Sequence, residues 1–119
     1  MIKKNRLKAA LDGLAVVFRS ELNFKFHVLI FFLVLFLGFF FQIKTWEWIL
    51  VLLASAMVFS AEIFNTAIEN ICDYIEPEMD AKIGKIKDIS ASAVLTCAVI
   101  SAVIGFLIFI PYVVRLLCD

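Results

Sequence analysis

The stretch MVFSAEIFNTAIENICDYIE, Met57–Glu76, begins inside an apolar run and then takes on Glu62, Asn65, Glu69, Asp73 and Glu76 with no helix breaker among them. On a helix turning ~100° per residue these five fall at about 0°, 300°, 340°, 20° and 320°, so they share one face. Ile63, Phe64, Ala67, Ile68 and Ile71 cover much of the remainder. Glu62 lies sixteen residues after Trp46, where the apolar run begins. That sets it ~24 Å along the axis, at or just inside the far boundary of a ~30 Å hydrocarbon layer. An ionisable group at that depth costs several kcal/mol unless it is paired, and it marks a functional site. Reaching for headgroups or bonding a neighbouring helix would account for Glu62 alone, but a helix that only has to end does not need five polar groups in line.

The rest of the chain fits a bilayer. Of its 119 residues 64% are hydrophobic, thirteen of them phenylalanine, and the mean hydropathy is +1.02, far above a soluble domain of this length. Three apolar segments recur, giving spans at about 26–43, 46–64 and 89–114. The third is long enough by itself and the first two draw on their flanks. Lys3, Lys4, Arg6, Lys8, Arg19 and Lys25 precede the first span and Lys82, Lys85 and Lys87 lie between the second and third, leaving only Lys44 and Arg115 for the other side. The positive-inside rule then puts the N-terminus in the cytoplasm and the C-terminus outside. A formal net charge of zero gives no attraction for nucleic acid.

MIKKNRLK has the charge of a signal-peptide n-region, but Asp12, Arg19 and Glu21 interrupt the apolar core that should follow, and no cleavage site is recognisable. Instead Leu7, Ala10, Leu11, Leu14, Val17 and Phe18 recur at spacings of three and four. They predict an amphipathic surface helix over about 5–22, either a floor for a reaction site or a plain anchor. QIKTWEW reads as a short turn with Trp46 and Trp48 at the membrane interface. The second helix is expected to continue to about Ile75, before Glu76-Pro77, with EPEMDAKIGK as a loop flexible at Gly84. Cys72, Cys97 and Cys118 form no CxxC pair and read as free, packed thiols. Without repeats or linkers, residues 1–119 make one domain.

Two further elements carry complementary chemistry. KIKDISASA sets Lys87 and Asp88 at the mouth of the third span, with small residues after them that allow close helix approach, and FRSELNFKFH sets Glu21, Asn23 and Lys25 at the mouth of the first. Glutamates from separate helices can hold Mg²⁺, which prefers hard oxygens and shares its coordination with phosphates. A lysine can bind those phosphates, and a carboxylate at membrane depth can take a proton from an alcohol embedded in lipid. These are the parts of a phosphoryl-transfer site with no glycine-rich loop. The contrasting class is a non-enzymatic transporter or assembly subunit, whose intramembrane carboxylates would sit nearer the bilayer centre.

AEIFNTAIENICDYIEPE followed by KIKDISASAVL resembles the small prokaryotic diacylglycerol kinase family, which includes the undecaprenol kinases, in its glutamate, its NTAIE and the K-D pair opening the third span. The resemblance runs from about Lys8 to Val114. It implies an all-α membrane protein of three spans plus the surface helix, assembled as a homotrimer with shared active sites in the bacterial inner (cytoplasmic) membrane. It further implies ATP as phosphoryl donor and Mg²⁺ as metal. Carried over by position, Glu62 becomes the general base on the lipid hydroxyl, Asn65 orients the site, and Glu21 and Glu69 are the metal carboxylates. Asp73 lies close to the nucleotide, Lys87 holds its phosphates with Asp88 beside it, Glu78 and Asp80 lie near the base, and Ala91 touches the lipid. His27, in NFKFH, matches the NFRIH common in undecaprenol kinases where diacylglycerol kinases carry an acidic residue, so undecaprenol is the implied acceptor and diacylglycerol the alternative. Capping the first span is the competing role for that histidine.

Overall fold

Four helices account for most of residues 5–119, the part of the chain that the computed structural model describes: α1 (Arg6–Ser20), α2 (Leu22–Phe41), α3 (Thr45–Ile75) and α4 (Ala81–Cys118). Lys3 and Lys4, counted above on the basic side of the first span, lie outside the described residues. Helices α2, α3 and α4 are each long and apolar enough to cross a membrane. The protein is therefore an all-α integral membrane protein.

Local chemistry sets each boundary. Asn5 opens α1 by accepting a hydrogen bond from the Leu7 N–H at 3.0 Å. The chain leaves helical geometry at Glu21 (φ −111°, ψ 112°), which ends α1 and begins α2 as a single-residue break. The surface helix is thus a little shorter than expected, and the helix that carries the first span starts at Leu22, a turn before the expected apolar segment. Helix α2 ends at Gln42 in the left-handed region (φ 51°, ψ 55°), where the Ile43 N–H closes back on the Gly38 carbonyl at 3.1 Å. Only residues 42–44 separate α2 from α3, so the turn is tighter than QIKTWEW suggested.

A larger correction falls at the other end. The expected flexible loop with Gly84 is confined to residues 76–80, and Gly84 belongs to α4. Asp80 is the reason: its Oδ1 accepts from the N–H groups of Lys82 (2.9 Å) and Ile83 (3.1 Å), satisfying two of the orphan donors that start a helix. The helix that carries the third span accordingly begins at Ala81, eight residues before residue 89, where its apolar segment is expected to start.

Helix α3 is central, packing against α4 along its length and against both α2 and α1. With 31 and 38 residues, α3 and α4 reach ~46 and ~57 Å, so both overrun a ~30 Å hydrocarbon layer. The described chain measures 60 × 38 × 20 Å, only about two helix diameters thick. Its polarity is inverted relative to a soluble protein: Phe32, Phe36, Phe39 and Phe40 of α2 and Leu95, Phe106 and Leu107 of α4 point outward, while Glu47, Glu62, Thr66 and Ser90 are buried.

The end of the bundle that carries the 42–44 turn is closed. Ile43, Val51 and Ile108 form its core, with Val34, Phe41, Trp48 and Tyr112 packed around them. Trp48 packs directly against Gly38, where a Cβ would stand 2.5 Å from the indole. Glu47 accepts at Oε1 from the Lys44 N–H (2.9 Å) and from the Tyr112 hydroxyl, tying the start of α3 to the last turns of α4. Tyr112→Phe removes one of these donors from a buried carboxylate and is expected to cost about 1–3 kcal/mol. The check is a reversible denaturation series in mixed micelles; an unchanged midpoint would show that Glu47 is not held by the tyrosine.

Candidate functional site: the polar end of α3

Helix α3 delivers its polar face as the sequence spacing requires, and burial falls off along it. Glu62 is 4% exposed, Asn65 and Glu69 are half-buried and Asp73 is exposed. The helical repeat explains the alignment, which runs ~16 Å from Glu62 to Asp73.

The side chains form two linked groups. In the deeper one, Oε1 of Glu62 lies 2.7 Å from Nδ1 of His27 on α2, whereas Oε2 is buried with no hydrogen-bond partner. Thr66 bonds only the backbone carbonyl of Glu62, at 2.9 Å. One turn on, the Asn65 amide donates to Oε1 of Glu69 at 3.3 Å, and the Asn65 Oδ1 is again buried without a partner. The α1–α2 break brings Glu21 to the same region. Desolvation first, then the carboxylates of Glu69 and Glu62, raise its pKa above the ordinary glutamate value. A carboxyl destabilised by its neighbours in this way is one that a cation would relieve.

In the outer group, the Lys87 ammonium at the start of α4 bonds Asp73 on α3. That bond is the main cause of a raised lysine pKa, so the ammonium stays charged beyond the usual lysine range. Beside the pair, residues 76–80 and the first turns of α4 surround a hollow of about 670 Å³ lined by Glu76, Glu78, Asp80, Lys85, Lys87 and Asp88. This lies within the ~300–1,000 Å³ typical of small-molecule sites.

The structure therefore gathers Glu21, Glu62, Asn65 and Glu69 at one place and Asp73 with Lys87 at the next. It brings no side-chain contact from Glu78, Asp88 or Ala91 to either group, and Asp80 is engaged in capping α4. Among the described residues no three His, Cys, Asp or Glu side chains close around an ion. Glu21 and Glu69, with the free Oδ1 of Asn65, offer the partial set of hard oxygens that suits a metal completing its shell from phosphates and water.

Two polar residues have roles that the sequence does not signal. In sequence His27 is only a family marker or a cap, because nothing local links it to a residue 35 positions away. Ser90 of α4, which in sequence is only a small residue suited to close packing, is buried with its hydroxyl unpaired. Next to the polar groups, His27 also heads an apolar cavity of about 220 Å³ among α2, α3 and α4, walled by Phe31, Val51, Ala54, Phe59 and Ala102.

Comparison with known proteins places these residues in a family context. The family model described as prokaryotic diacylglycerol kinase matches residues 8–109. The undecaprenol kinase of Bacillus subtilis (strain 168) is 41% identical over 93 residues, which span 78% of this chain and 76% of that protein.

Proposed function

The chain belongs to the prokaryotic diacylglycerol kinase family, and on that premise we propose that it transfers the γ-phosphoryl group of ATP to the hydroxyl of undecaprenol at the cytoplasmic boundary of the bacterial inner membrane. The observation that carries this reading is Glu62: a buried carboxylate at the inner limit of a membrane span, with one oxygen anchored and the other free. The identity to an undecaprenol kinase supports that lipid over diacylglycerol as acceptor.

The chemistry divides between the two polar groups. Glu62 takes the hydroxyl proton at Oε2 as the alcohol oxygen bonds to the γ-phosphorus; the bond from that phosphorus to the bridging oxygen breaks, and ADP leaves with the electron pair. Asn65 holds Glu69 in register through its amide. Lys87, steadied by Asp73, neutralises ATP phosphates, and Glu78, Asp80 and Asp88 flank the hollow that would take the rest of the nucleotide. Glu21 and Glu69 would hold Mg²⁺, which would supply charge neutralisation to the phosphates. Ala91, exposed on α4 one residue from buried Ser90, is available to the lipid.

The homotrimer is the assembly that the family resemblance implies; the buried polar atoms left without partners, Glu62 Oε2, Asn65 Oδ1 and the Ser90 hydroxyl, support sites that neighbouring protomers complete. The basic residues at the polar end support a cytoplasmic N-terminus and an external C-terminus. The test is transfer of label from γ-labelled ATP to undecaprenol and to diacylglycerol offered in parallel in mixed micelles with Mg²⁺. Preferential labelling of undecaprenol is expected. Preference for diacylglycerol would keep the mechanism and change the substrate, and absence of transfer to either by folded protein would refute the kinase reading.

A further inference from the structure

The Glu62 carboxylate has one side-chain bond, and it comes from another helix. A glutamate has three rotatable bonds, and at the edge of the hydrocarbon its relaxed position is toward headgroup water, so something must hold it inward. The groups around it leave one candidate. Asn65 is engaged with Glu69, Thr66 with the backbone, and the Lys25 ammonium sits 5.9 Å over the Phe18 ring. Glu21 repels Glu62 rather than binding it. Among the described residues His27 alone reaches Oε1, at a distance typical of a hydrogen bond to a charged acceptor.

We infer that His27 is the positioning residue for the general base, its Nδ1 holding Oε1 of Glu62 so that Oε2 faces the acceptor alcohol. The inference rests on the reading of Glu62 as base. A carboxylate about to accept a proton can only accept hydrogen bonds, so Nδ1 carries the hydrogen and the tautomer is fixed. The ring is itself constrained: its side chain is 21% exposed, the Phe26 ring lies 6.0 Å away, and the Phe31–Phe59 wall of the apolar cavity lies beyond. The same imidazole therefore borders the dry space on one side and fixes the base on the other, which places the greasy part of an alcohol and its proton acceptor at adjoining positions.

The experiment compares His27→Asn, whose amide nitrogen can replace Nδ1 as donor, with His27→Leu, which fills the space and donates nothing. His27→Leu is expected to lose about 100-fold in kcat with the KM for ATP near the parent value, and His27→Asn to recover at least about a tenth of parental kcat. Equal kcat for His27→Leu and the parent would overturn the inference, as would an asparagine variant no better than leucine. Because the chain has a single histidine, ¹⁵N spectra of its ring in micelles give a second readout that does not depend on variant folding at position 27. The Nδ1-protonated tautomer is expected in the parent, with its Nδ1 signal displaced in Glu62→Leu; an unmoved signal would overturn the contact. Full transfer by Glu62→Gln would instead show that the reading of Glu62 had failed, and the inference with it, even where the spectra confirm the contact.

Discussion

Glu62→Gln is expected to lower kcat for lipid phosphorylation by about 10²–10⁴, the range that a positioned general base contributes, while leaving the KM for ATP within a few-fold. Glutamine preserves the volume, the packing on α2 and an oxygen able to accept from His27; what it removes is the basic lone pair on Oε2. Oε2 is the relevant atom because it is buried without a partner, a cost that a structure bears where a substrate will supply the missing bond. Helix α3 should be undisturbed, since its backbone bonds and the Thr66 bond to the Glu62 carbonyl do not involve the carboxylate. Steady-state kinetics in micelles with both substrates varied would decide the matter. A variant retaining more than about a tenth of parental kcat would remove Glu62 from the proton-transfer step.

Lys87→Met should act on the other substrate. The ammonium is the cation bonded across the α3–α4 seam beside the hollow proposed for the nucleotide, and Asp73 both aims it and raises its pKa. The sign is favourable throughout the working range: a raised lysine pKa keeps the charge present at every pH below the ordinary ~10.4 and for some distance above it. Methionine keeps the aliphatic stem and loses the charge, so kcat/KM for ATP is expected to fall by about 10²–10³, comparable to removing one preorganised donor from a transition state. Asp73→Asn, which leaves the charge but slackens its tether, should cost less. Unchanged kcat/KM for ATP in Lys87→Met would show that the phosphates bind elsewhere.

The polar face of α3 was legible from sequence because a 3.6-residue repeat carries its own geometry: once the helix is granted, Glu62, Asn65, Glu69 and Asp73 must align. The three spans were legible for a similar reason, since length and hydropathy are summed properties that survive errors at the ends. What escaped was decided by single hydrogen bonds between distant or easily misread residues. Asp80 sits in what reads as a loop, yet its carboxylate starts α4 and pulls Gly84 into a helix. Glu47 looked like part of a polar turn and is buried under Tyr112, 65 residues away. His27 and Glu62 meet only because the 42–44 turn folds α2 back on α3, and no period in either segment encodes that register.

The inverted polarity of the bundle bears on its thermodynamics. When a soluble domain unfolds, apolar surface meets water, the heat capacity rises and the stability curve bends into a dome. Here the large apolar side chains of α2 and α4 already face the surroundings, and they remain in hydrocarbon whether or not the helices are packed together. Separating the helices exchanges packing contacts and a few buried polar bonds for lipid contacts, with little change in hydrated apolar area. The heat-capacity increment of helix dissociation is therefore expected to be small, and stability in a bilayer should vary almost linearly with temperature, leaving no hydrophobic route to cold denaturation.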